Sequence, residues 1–355
     1  MNSSDAIHSH DALPTTPGQP DRALHILAIL TAAATFPLIF IGGLVTSHGA
    51  GLAVPDWPNS YGYNMFLFPP RLWIGGIFYE HTHRLWASAV GMLSIALAAR
   101  AFWIEKRAPI RRLCYAVLAC VIFQGILGGL RVVWKDLDLA IVHACFAQAF
   151  FCLASLSALA TSSWWARHAV PTSHAAPGLF RAAAAATVII YLQLVVGAVM
   201  RHNQAGLAIP DFPTSFGSIA PPTHLDEAFR LSAMQRWNDS RLDLGHVTLF
   251  QIWIQFAHRL GAVAVFAAAV GLVGVVLRQH RNRADAAGIV RGAILLIGLV
   301  CAQIVLGGLT VLLRKPADLA SLHVAVGALT LVTAFLTTAR TARMYGIGGA
   351  PAAVR

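Results

Sequence analysis

Charge is scarce in this chain. Of its 355 residues only 12% are Asp, Glu, Lys or Arg, while 57% are hydrophobic; a soluble domain carries about 25% charged residues. That deficit excludes an ordinary water-soluble globule. Cysteine is missing from the polar stretches: Cys114, Cys120, Cys145, Cys152 and Cys301 all lie inside apolar runs. Disulfides between loops are thereby excluded, and the five read as small buried hydrophobes. There is no aspartate-rich diphosphate-binding motif, which argues against prenyl transfer. The first 22 residues lack the basic stretch that opens a signal peptide, so the first apolar run is expected to be retained behind a disordered tail.

Long apolar runs are what the chain has instead. A bilayer crossing needs roughly 20 such residues, and eight runs qualify, at about 23–46, 83–103, 113–133, 139–164, 179–200, 250–277, 289–313 and 319–341. The expected fold is an all-α membrane protein of eight transmembrane helices in contact with membrane lipid. The net charge of +11 does not point to nucleic acid, because the basic residues crowd into short loops. Arg100, Lys106, Arg107, Arg111 and Arg112 flank the loop between runs two and three. Arg167 and Arg181 flank the one between four and five, Arg278, Arg281, Arg283 and Arg291 the one between six and seven, and Arg340, Arg343 and Arg355 follow run eight. The opposite loops are nearly neutral. The positive-inside rule then puts both termini in the cytoplasm and the long loops 47–80 and 201–249 outside, as in a cell inner-membrane protein.

The chain repeats itself. Residues 50–62 read AGLAVPDWPNSYG and residues 205–217 read AGLAIPDFPTSFG. HRL at 83–85 recurs at 258–260, and QGILGGL at 124–130 recurs as QIVLGGL at 303–309. Four runs per copy is an even number, so both copies share one orientation and form a parallel repeat. Each is most simply a four-helix bundle with its site in the core. The expected organisation is a cytoplasmic tail at 1–22, an N-terminal bundle at 23–164, a cytoplasmic linker at 165–178, a C-terminal bundle at 179–341 and a second cytoplasmic tail at 342–355.

Four histidines follow the repeat. His83, His143, His258 and His323 sit near the starts of runs two, four, six and eight, all at the outer membrane end. Ionisable groups at that depth are costly and mark function. Two imidazoles on facing helices can hold a haem iron from both sides. Zinc or copper is disfavoured because no third ligand accompanies either pair at suitable spacing. The odd runs end in small residues, Gly42-Gly43, Gly128-Gly129, Gly197-Ala198 and Gly307-Gly308. These allow close helix packing and equally leave room for a flat macrocycle.

The copies differ at one place. Glu80 precedes His83 by three residues and shares its helix face; the matching residue before His258 is Gln255. A carboxylate can relay a proton or stabilise positive charge, and an amide can do neither. The N-terminal half is therefore expected to carry out the reaction and the C-terminal half to hold a permanent cofactor, unless Glu80 only caps its helix or pairs with Arg84. Arg84 and Arg259 follow the first histidine of each pair and suit haem propionates, or else snorkel to the interface. His48, His81, His202, His224 and His246 break the symmetry and read as outer-loop surface residues. The PDWP and PDFP loops, with Asp56, Trp57, Asp211 and Phe212, read as structural segments placed to cover the two cavities.

With these residues in hand the chain resembles the haem A synthase family over about 24–342. The carriers are the AGLAVPDWP loop, EHTHR at 80–84, QGILGGL with His143, AHRL at 257–260 and QIVLGGL with His323. The resemblance implies an oxidoreductase that converts a ring methyl group of haem O to a formyl group by successive hydroxylations. The haem A so made serves cytochrome oxidase. It implies that His258 and His323 ligate a resident haem b, that His83 and His143 face the substrate haem, and that Glu80 is the essential carboxylate. It also implies a haem O synthase and an electron donor as partners, with homo-oligomerisation open. Members with an outer-loop cysteine pair exist, and this chain resembles the branch without one. The stretch 218–249 has no counterpart in the pattern. Two rival readings stand beside this one. A di-haem b electron-transfer protein would use two His pairs equally well, and haem mass analysis separates it. A haem transporter of parallel repeats would more often break its helices at mid-membrane.

Overall fold

The structure is a computed structural model that describes residues 20–168, 176–226, 229, 247–280 and 286–346. The expected tails, the middle of the 165–178 linker and His246 fall wholly or mostly outside those residues. Among them there are nine α-helices, three short 3-10 turns in the long loops and no strand. The α-helices are α1 (Arg22–Ser47), α2 (Gly76–Ile104), α3 (Ala108–Trp134), α4 (Leu137–Ala160), the short α5 (Ser163–Arg167), α6 (Pro177–His202), α7 (Leu249–His280), α8 (Ala287–Leu312) and α9 (Ala317–Tyr345). All but α5 are long and apolar enough to cross a membrane, and the chain is a multi-pass membrane protein.

Two boundaries differ instructively from the hydropathy reading. Helix α2 begins at Gly76, seven residues before His83, because the polar Glu80 and His81 that depress local hydropathy are buried, at 2% and 0% exposure. Helix α4 stops at Ala160 rather than 164. Ser162 then accepts the Trp165 amide and caps α5, satisfying a donor that a new helix leaves open.

Packing closes two rings. Helix α1 contacts α2, α2 contacts α3, α3 contacts α4, and α4 returns to α1; α6, α7, α8 and α9 repeat the circuit. The rings meet through α1 and α4 on one side and α6 and α9 on the other. One apolar core fills the first ring around Leu24, Val90, Leu97, Val117 and Phe150. A larger one fills the second and runs on into Ile39, Phe151 and Cys152 of the first. The cysteines pair with nothing, and Cys114 and Cys152 are buried as expected, whereas Cys301 is exposed on the outer surface of its helix. At the short-loop end, Arg100 ties α2 to the Asp21 cap of α1 at 2.9 Å.

The loops 48–75 and 203–248 leave the opposite end of the helices, and where both are described they are near copies. Asp56 accepts from the amides of Tyr61 (2.7 Å) and Gly62 (2.8 Å); Asp211 accepts from Phe216 (2.7 Å) and Gly217 (2.8 Å). Tyr61 and Phe216 both take positive φ, near 50° and 56°, and the carboxylates above supply the hydrogen bonds that hold these turns. Burial works to raise the Asp56 carboxyl, but the Gly62 and Tyr61 amides outweigh it and hold it below the usual range.

Candidate functional site

Each of the four histidines rests on the first small residue of the preceding odd helix. A methyl group placed on Gly42 would meet His83 Cε1 at 3.0 Å, one on Gly128 would meet His143 Cε1 at 3.0 Å, one on Gly197 would meet His258 Cε1 at 2.9 Å, and one on Gly307 would meet His323 Cε1 at 3.2 Å. Helix geometry explains the register: α2, α4, α7 and α9 each carry their imidazole two or so turns in from the long-loop end, level with the glycine one helix back. The glycines thus seat the rings. The second residue of three of the pairs does other work. Gly129 lies under the Trp57 ring and Gly308 under the Phe212 ring: a methyl on Gly129 would overlap Trp57 Cδ2, and one on Gly308 would sit 3.0 Å from Phe212 Cε1. The PDWP and PDFP loops therefore reach across each bundle and lay an aromatic ring one residue from an imidazole seat. Gly43 instead packs on Ser321 of the other half.

The structure brings His258 and His323 together, with ring centroids 6.3 Å apart and ring planes at 73°. Two imidazoles that share a metal ion at about 2 Å each place their centroids about 6 Å apart, so this pair fits an iron between its rings. His83 and His143 lie within electrostatic reach of each other in the first bundle. Nδ1 of His83, His143 and His323 is buried with no hydrogen-bond partner, and Gln193 Nε2 lies 3.1 Å from Nδ1 of His258. Among the described residues no hydrogen bond reaches Nε2 of any of the four, and no cluster of three metal-ligating side chains occurs. A haem supplies its own equatorial nitrogens and needs two axial ligands only, so the donor set fits that group.

Glu80 is held on both oxygens. Oε2 accepts the Val54 amide at 2.9 Å, and Oε1 accepts Arg84 Nη2 at 2.9 Å. In the other half Gln255 Oε1 accepts the Ile209 amide at 2.5 Å, the same loop position, while its Nε2 donates to Gly206 O. The pairing of Glu80 with Arg84 is thus present, and both oxygens are anchored as well. The two arginines expected to meet propionates are engaged elsewhere. Arg84 donates to the carbonyls of Val54, Asp56 and Asn59, and Arg259 to those of Ile209, Asp211 and Thr214. They clamp the PDWP and PDFP loops. The sequence placed a guanidinium beside a histidine, but only the fold reveals that three carbonyls converge on it first.

His81 is a correction. It is fully buried rather than on the surface, with Nδ1 3.3 Å from Ser60 Oγ and its ring against Trp73 and Phe68. It points away from His83, towards the folded loop. His202 is half-buried, while His48 and His224 are exposed as expected.

Three further groups were missed. Gln124 Nε2 donates to the carbonyl of His143 (2.8 Å), Gln193 Nε2 to that of His258 (2.7 Å) and Gln303 Nε2 to that of His323 (2.7 Å). Each stands four residues before a seating glycine, a spacing readable in QGILG, QLVVG and QIVLG. Gly261 makes room for one of them, since a methyl there would clash with Gln193 Oε1. Arg131 and Arg201 lie one helical turn beyond Gly128 and Gly197, towards the long loops. Arg131 reaches Gly51 O at 3.5 Å. Arg201 crosses to the first half, donating at 2.6 Å to both Gly43 O and Ser47 Oγ. Neither forms an ion pair in direct contact among the described residues, although Glu80 lies within electrostatic reach of Arg131.

Comparison with known proteins bears on this arrangement. Residues 75–335 match the family model COX15-CtaA, described as cytochrome oxidase assembly protein. Relatives named heme A synthase include one from Shouchella clausii, 28% identical over 72% of this chain and 84% of its own length. Another, from Symbiobacterium thermophilum, is 26% identical over 81% and 85%, and a third, from a Caulobacter species, is 25% identical over 88% and 94%. A bundle pair with four seated histidines, matched over most of its length, places the chain in the COX15-CtaA family of cytochrome oxidase assembly proteins.

Proposed function

We propose that this protein is a haem A synthase, an oxidoreductase that converts a ring methyl of haem O to a formyl group. The observation that carries the reading is the 6.3 Å separation of the His258 and His323 rings, the spacing of two axial ligands on one iron. His258 and His323 hold a resident haem b, whose iron supplies one-electron chemistry when bound. His83 and His143 receive haem O from the membrane. Two hydroxylations, each a two-electron oxidation that replaces one C–H bond of the methyl carbon by C–OH at the expense of an oxidant supplied from outside the chain, give a geminal diol, and loss of water leaves the aldehyde.

The chain's own residues set the conditions. Trp57 and Phe212 lie beside the seats and exclude water from the long-loop side. Glu80, fixed by Val54 and Arg84, is a stationary carboxylate on the His83 face of α2. With both oxygens already accepting hydrogen bonds, it is placed to stabilise positive charge that develops on the methyl carbon. Arg131, half-buried, one turn outward of the His143 seat and held only by a 3.5 Å contact to Gly51 O, is the group left to meet a propionate. The basic short loops put both termini in the cytoplasm and the sites near the outer face of the inner membrane.

The test is Glu80→Gln, which copies the amide of the other half and preserves the acceptor for Val54. Co-expressed with a haem O source, it should retain haem b and yield little haem A on mass analysis of extracted haems. Full conversion would remove Glu80 from the mechanism.

A further inference from the structure

The amide clamps number three, and the fourth position is Leu38. Measured from the seating glycines, Gln124, Gln193 and Gln303 each lie four residues back, and so does Leu38 from Gly42. Leu38 has no donor to offer the carbonyl of His83. The residue before it is Pro37, the one proline inside α1; its counterparts are Phe123, Leu192 and Ala302. A proline within a helix removes a ladder hydrogen bond and weakens the helix locally. The imidazole of His83 faces the backbone of Leu38, as those of His143, His258 and His323 face the backbones of Gln124, Gln193 and Gln303, and the side-chain hydrogen bond between α1 and α2 is Trp86 Nε1 to Ala34 O at 2.7 Å, one turn deeper. Of the four seams that hold a histidine, three carry a side-chain amide on the ligand's own carbonyl, and the fourth lacks that amide and has a proline beside its place.

We propose that His83 is the exchangeable ligand of the four, and that the α1–α2 seam at Pro37 and Leu38 is where substrate haem enters and product leaves. Gln124, Gln193 and Gln303 are positioning residues that act through the backbone of His143, His258 and His323. The C-terminal pair is clamped on both sides, as suits a cofactor that stays. The N-terminal pair is clamped on one side only. His143 keeps its grip while His83 withdraws, so the macrocycle stays held from one side until it moves out through the seam. This rests on the assignment of the N-terminal half to the substrate.

Haem transfer to apomyoglobin tests it. The full-length protein is purified anaerobically from cells that make haem O, then mixed with excess apomyoglobin, and the haems that leave and stay are identified by mass. Wild type should release in two phases, the fast one carrying haem O. Leu38→Gln should slow that phase, and Gln193→Leu or Gln303→Leu should hasten loss of haem b, each by roughly three- to tenfold, the size expected for one interhelical hydrogen bond in a membrane. If Leu38→Gln fails to fold, the two glutamine variants carry the test in the opposite direction. A fast phase that carries haem b would overturn the substrate assignment. A fast phase that carries haem O, with rates unmoved by any of the three substitutions, would leave that assignment standing and overturn the role of the clamps.

Discussion

Glu80 and Gln255 occupy one place in two copies of the same bundle, and each accepts an amide proton from the same position of its loop, Val54 or Ile209. The neighbouring arginine folds over three loop carbonyls in both halves. The amide does the structural task as well as the carboxylate. Burying a charge costs free energy even when it is paired, so the negative charge of Glu80 is a burden that the scaffold does not require. The comparison teaches where to look for chemistry: at the positions where two equivalent sites carry different side chains, Glu80 against Gln255 and Leu38 against the three glutamines.

The comparison can be broken most decisively at the ligands. His258→Ala or His323→Ala should abolish the haem b that copurifies, while His83→Ala leaves it in place, as read by the pyridine haemochrome spectrum. Equal loss from both halves would end the division of labour. Next in size, Glu80→Gln should cut haem A formation by about 10²- to 10⁴-fold, the range for a lost acid–base or charge-stabilising group, and Gln255→Glu should restore none of it. Gly197→Val should lower haem b occupancy several-fold, because even its Cβ lies 2.9 Å from the His258 ring; Gly42→Val, at 3.0 Å from His83, should spare haem b and impair haem O binding. The smallest effect concerns the loops. The Asp56 carboxyl is held below its ordinary value, so its contribution is present above an unfolded value of about 4 and fades as pH falls through the lower folded one. Hydrogen exchange at the Tyr61 and Gly62 amides should quicken on acidification below pH ~4, and Asp56→Asn should remove that dependence.

Much of this was legible in the residue pattern. Eight apolar runs, a doubled loop motif and four histidines in register sufficed for the helices, the repeat and the common level of the imidazoles, because each is a property of one segment or of a spacing along the chain; that the glycines seat the rings was not read from it. The rest depends on what crosses between segments. Arg84 reads as a propionate partner until the loop folds its carbonyls onto it. His81 reads as a surface residue until Trp73 and Phe68 close over it. The glutamine clamps had a signal, a repeated four-residue offset to the glycine, yet glutamine in an apolar run carries no meaning until the carbonyl it faces on the next helix is known.

Arg201 carries a last consequence. It stands on α6 one turn beyond the seat of His258, and it grips Gly43 and Ser47 beside the seat of His83, while Ser47 Oγ lies 3.1 Å from Ser321 Oγ, two residues before His323. One guanidinium therefore pins the supports of three imidazoles drawn from both halves. Were each half to hold its haem as proposed, the distance between the two would be fixed by this cross-brace and not by chance encounter.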